Sequence, residues 1–166
     1  MFKKRGIFFT LDAILAVGII LTVIILVLNT YTSNPPENHV MFLSNDMVSL
    51  LSNIKVAEIE NKYVQGLVSS GTIGRTNKSI LEQIGELWSE NELALAKNIA
   101  ANVTESLVPA RFGVGVYSDG EEIYAKNASV SRNLVSSRRI ISGIIEGENN
   151  TLRTWGPSVM EIRIWE

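Results

Sequence analysis

The chain has 166 residues, 46% of them hydrophobic and 19% charged, with a formal net charge of −2 and no cysteine. That length allows one domain plus an appendage. Without cysteine there is neither a disulfide staple nor a thiolate to act as nucleophile or metal ligand, so packing must hold the fold.

The apolar content is concentrated at one end. From Ile7 to Leu28 run 22 residues whose only side chains able to hydrogen-bond or ionise are Thr10, Asp12 and Thr22. As a helix the run spans roughly 33 Å, enough to cross a hydrocarbon core about 30 Å thick. It is longer than the apolar core of a secretory signal peptide, and no small-residue cleavage site follows it. Lys3, Lys4 and Arg5 precede it, and no Lys or Arg follows until Lys55. The positive-inside rule then leaves residues 1–6 as a basic cytoplasmic leader, residues 7–28 as the transmembrane helix, and the remainder outside the cell membrane. With those three cations and Asp12 set aside from totals of 15 basic and 17 acidic residues, 12 basic residues face 16 acidic ones beyond the span. No nucleic-acid partner is expected of such a balance.

Residues 29–38, NTYTSNPPEN, are polar and carry Pro35 and Pro36, so they read as a linker in which the helix ends near Asn34. An extracytoplasmic domain over residues 39–166 follows. Val40 to Val68 has helical spacing of its apolar residues and predicts one amphipathic helix ending before Gly71. Residues 69–79, SSGTIGRTNKS, predict a loop. Ser79 with Glu82 and Ser89 with Glu92 fit the capping box, so two helices are expected to start near residues 80 and 90, closed by Pro109.

After Pro109 the period shortens. Val114 and Val116, then Asp119-Gly120, then Ile123 and Tyr124 predict two short strands around a turn. Val130 to Ile145 and the alternation around Met160, Ile162 and Ile164 predict two more. Helices first and strands afterwards imply an α+β domain, about three helices packed on a small antiparallel sheet.

The first 28 residues, containing KKRGIFFTLDAILAVGIILTVIILVL, resemble the class III signal of type IV prepilins and archaeal pilin-like proteins: a short basic leader, a glycine, then a long apolar helix with an acidic residue near its start. That resemblance implies a prepilin peptidase that cuts between Gly6 and Ile7 on the cytoplasmic side. It also implies a filament or secretion machinery whose subunits bundle their apolar helices and present their heads outside. Asp12 would then pair with the freed amine of a neighbouring subunit, since a carboxylate at a membrane helix is costly unless paired. Read from the residues alone, Asp12 could equally pair with Arg5 or sit among headgroups. The chain departs from the bacterial pattern in that Ile7 stands where phenylalanine is usual. Asp12 also lies one place further from the cut than the family's glutamate. The alternative is an uncleaved signal anchor holding an outer interaction module or accessory subunit of a membrane complex.

Enzyme chemistry lacks its parts. His39 is the only histidine and sits beside the proline linker, so a solvated loop residue is expected and no catalytic residue, cofactor or metal site is assigned. In GTIGRTNKS, Asn77 occupies the place where a phosphate loop needs glycine. Asn77, Asn102, Asn127 and Asn149 head Asn-x-Ser/Thr triplets, with Asn77 and Asn127 in expected loops as the favoured glycan acceptors. Arg138 and Arg139, adjacent on a strand, point to opposite faces and read as surface or edge charges. Trp88, Trp155 and Trp165 read as core or interface aromatics, with Trp165 the candidate for subunit contact. The expected partners are thus the lipid bilayer, further pilin-like subunits and, if processing occurs, the peptidase.

Overall fold

The computed structural model describes residues 3–32, 37–126, 134–146 and 151–166, with side chains at 12–29, 39–126, 134–145 and 151–166. Contacts divide the chain into two units, Met1–Pro36 and Glu37–Glu166. The first holds helix α1, Lys3–Thr32.

The second unit is α+β. It contains α2 (Glu37–Asn53), α3 (Lys62–Ser69), α4 (Ile80–Ser89) and α5 (Leu93–Leu107), followed by β1 (Gly113–Ser118), β2 (Glu121–Lys126), β3 (Leu134–Glu146) and β4 (Leu152–Trp165). The four strands form one sheet in the order β2-β1-β4-β3, each neighbour antiparallel. Helices α2 and α4 pack on β3 and β4, and α5 packs on β2. The core between these layers includes Leu51, Ile80, Leu81, Ile84, Ile99, Met160, Ile162 and Ile164, all fully buried.

Two of the local signals in the sequence are realised as expected. Ser79 Oγ accepts from the Glu82 amide at 3.2 Å while Glu82 Oε2 accepts from the Ser79 amide at 2.8 Å, closing the capping box that opens α4. Asp119 and Gly120 both have positive φ, 49° and 89°, the backbone that a two-residue hairpin between β1 and β2 requires.

Four expectations need correction. The single helix over residues 40–68 is two helices, because the backbone at 54–56 leaves the helix to bond the loop before α4: Ile80 N donates to Ile54 O and Val56 N to Lys78 O. Asn61 then starts α3 afresh by accepting from the amides of Tyr63 and Val64. The second capping box does not form, since Ser89 Oγ donates to Glu86 O and Glu92 makes no side-chain cap bond. His39 lies in the first turn of α2, not in a loop, and is exposed. The last strand begins at Leu152, well before the alternation around Met160, since Ile140–Glu146 supplies it with a partner. Of the third strand's expected span, residues 130–133 lie outside the described residues.

Beyond Ile140 and Val159, β3 and β4 continue as a two-stranded arm past the end of β1. The register shifts there, from Ile141↔Ser158 to Gly143↔Trp155, around a Gly156-Pro157 step. The shift aims Trp155 at α4. A Cβ on Gly85 would stand 2.6 Å from its Cη2, and one on Gly143 would stand 2.5 Å from its Nε1. Both glycines are needed for the indole to fit.

Candidate functional site

The first feature that points outside the chain is α1. Its Asp12–Asn29 stretch has the length and composition to cross a membrane, and none of it is buried. Ile14, Ile19, Ile20, Ile25 and Leu26 are each more than half exposed, spread around the whole circumference. Inside the span Thr22 Oγ1 donates to Gly18 O at 2.8 Å, which satisfies its hydroxyl without a partner helix. Asp12 stands at the N-terminal limit of that stretch and is exposed. Gly6 and Ile7 lie within the backbone of α1, and their side-chain surroundings fall outside the described residues.

On the second unit, a cavity of about 680 Å³ opens where the arm meets the loop before α4, lined by Arg75, Asn77, Lys78, Ile144 and Trp155 among others. Arg75 Nη1 donates to Ile144 O at 2.8 Å, and Lys78 forms an ion pair with Glu86 that is largely buried. The Trp155 Nε1 proton is buried and finds no acceptor among the described residues, wedged as it is against Gly143. Asn77 is exposed at the rim. Asn102 is exposed on α5, with its amide donating to Asn98 O and its carbonyl accepting from Asn61 Nδ2. Asn127 and Asn149 lie outside the described residues.

The sheet face turned away from the helices carries the densest electrostatics. Glu161, only 4% exposed, accepts from Arg163 Nε at 2.9 Å and Nη2 at 3.0 Å and pairs with Arg138 at 3.3 Å. Arg163 stacks 3.9 Å above the Tyr117 ring, which itself leans over Gly115. The Arg163 hydrogen bonds, with help from Ser136 and Arg138, hold the Glu161 carboxyl at about 2 against its burial. Trp165 lies on the same face, directly over Gly113, and is 6% exposed. On the other side of the sheet Tyr124 donates to Glu105, and burial followed by that bond pushes the phenol well above its usual range. Among the described residues no group of three or more His, Cys, Asp or Glu side chains could hold a metal ion.

No protein family, curated protein or solved structure matches this chain. Arg138, Trp155 and Trp165 stand out in the sequence, but their partners Glu161, Arg163, Gly85, Gly113 and Gly143 do not, because those contacts depend on strand register and on packing.

Proposed function

We propose that the protein is a pilin-like structural subunit of a cell-surface filament or secretion machinery, anchored by α1 and carrying its α+β unit outside the membrane. The observation that carries this reading is the condition of α1: a helix from Lys3 to Thr32, apolar around its circumference, whose Asp12–Asn29 stretch is long and apolar enough to cross a membrane. Such a surface needs a lipid or protein partner, since a helix apolar all round is stable only when surrounded. The basic residues before it set the N-terminus in the cytoplasm. Gly6 and Ile7 are the processing site and Asp12 the assembly residue, its carboxylate taking the freed amine of a neighbour as counter-charge. The chain's role is structural and not catalytic, with glycans carried at exposed asparagines such as Asn77.

The deciding experiment is the N-terminal residue of the protein taken from its native membrane. Ile7 supports the subunit reading, and Gly6→Leu should then hold the chain at full mass. Met1 in the native protein returns the alternative, an uncleaved anchor for an outer interaction module.

A further inference from the structure

The two outer strands of the sheet are β2 and β3, and each therefore offers one row of backbone amides and carbonyls to a further strand. Their charges are opposite. Strand β3 carries Arg138 and Arg139, strand β2 carries Glu121 and Glu122, and all four side chains are exposed. Their positions along the sheet also agree. Arg138 pairs with Glu161, Glu161 with Tyr117, and Tyr117 with Glu122, so Arg138 and Glu122 end one lateral row. Arg139, Met160, Ser118 and Glu121 form the next.

We infer that β3 of one copy pairs with β2 of the next, extending the sheet from head to head, with Arg138 set against Glu122 and Arg139 against Glu121. Strand direction permits it. Four strands alternate in direction, so a copy displaced sideways without rotation brings its β2 antiparallel to the first copy's β3. The three remaining rows set Ser137 beside Tyr124, Ser136 beside Ala125 and Val135 beside Lys126, with no like charges opposed. The bulge residue Ile123 lies between these rows and the charged ones. Past Ile141 the edge is closed to a partner, because Arg75 and Lys78 both reach the carbonyl of Ile144.

The same charges exclude the other pairings. Two β3 edges would bring arginine against arginine, and two β2 edges glutamate against glutamate. What remains is a head-to-tail contact, which propagates as a row where successive copies are related by translation. Copies anchored in one membrane add to its strength through high effective concentration. The inference goes beyond the filament reading and does not require cleavage, since uncleaved anchors also gather in one bilayer.

The test uses the full-length chain in membranes and exploits its lack of cysteine. One chain carries Ser136→Cys, the other Ala125→Cys. On mild oxidation a disulfide-linked dimer should form in the mixture and in neither chain alone. Adding Arg138→Glu and Arg139→Glu to the first chain should lower the yield about tenfold, the scale of several cross-strand charge pairs reversed together. Adding Glu121→Lys and Glu122→Lys to the second should restore it, which a misfolded variant could not do. A dimer from Ser136→Cys alone, no dimer in the mixture, or a reversal that the complementary change fails to rescue each overturns the pairing. The N-terminal residue of the native protein, read separately, leaves this result untouched.

Discussion

Ile20 and Ile84 are the same side chain on two helices of one chain, and their surroundings are opposite. Ile84, on α4, is fully buried against the sheet, whereas Ile20, on α1, is 57% exposed. The second unit brings its own non-polar solvent in the form of a core. The first must find one elsewhere, and the contrast separates what holds the fold from what connects the protein to its surroundings.

The largest effect should come from testing that contrast directly. Ile84→Ala should destabilise the second unit by about 2–5 kcal/mol, the range for emptying a filled core position. Ile20→Ala should leave the same thermal transition, followed by circular dichroism in detergent, within about 0.5 kcal/mol of wild type. Equal losses from both substitutions would mean that α1 completes the core. A charge at the centre of the span reverses the roles: Ile20→Lys should weaken membrane insertion by roughly 2.5–3.5 kcal/mol. Carbonate extraction should show more of that variant leaving the membrane, with the thermal transition of the second unit unchanged.

Glu161 gives a pH-dependent version. Its carboxyl is held at about 2 against an ordinary 4.5, so the folded state favours the ionised form. The associated stability is present above pH 4.5 and is lost as pH falls towards 2, by no more than roughly 3 kcal/mol. Urea midpoints between pH 5 and 2 should fall more steeply in wild type than in Glu161→Gln, and parallel slopes would defeat the assignment. The smallest effect on the membrane side is expected at Asp12. Because Asp12 stands at the limit of the span, Asp12→Ala should change insertion by less than a central charge does. Multimer yield in the membrane should nevertheless drop, and a wild-type yield would leave Asp12 merely solvated.

The limits of legibility follow the same division. The membrane-length helix, the Ser79–Glu82 box and the Asp119-Gly120 turn are local, written in a few neighbouring residues, and the structure places them as expected. The break between α2 and α3 is not local. It arises because Ile54 and Val56 bond residues more than twenty positions away, and nothing in their own neighbourhood announces that. The alignment of Arg138 with Glu161, Tyr117 and Glu122 was hidden for the same reason, since register is a property of paired strands. Gly85, Gly113 and Gly143 read as unremarkable small residues until the indoles that lie on them are in place.

The placement of those indoles has a spectroscopic consequence. Trp155 is buried on the helix-facing side of the sheet and Trp165 on the opposite side, each within van der Waals reach of glycine and nearly shielded from water. The intrinsic fluorescence of the protein therefore carries two blue-shifted emitters that report on different faces. Replacing Trp88 and either of these two by phenylalanine would leave a single probe of one face, able to show whether helices peel from the sheet before the strands themselves separate.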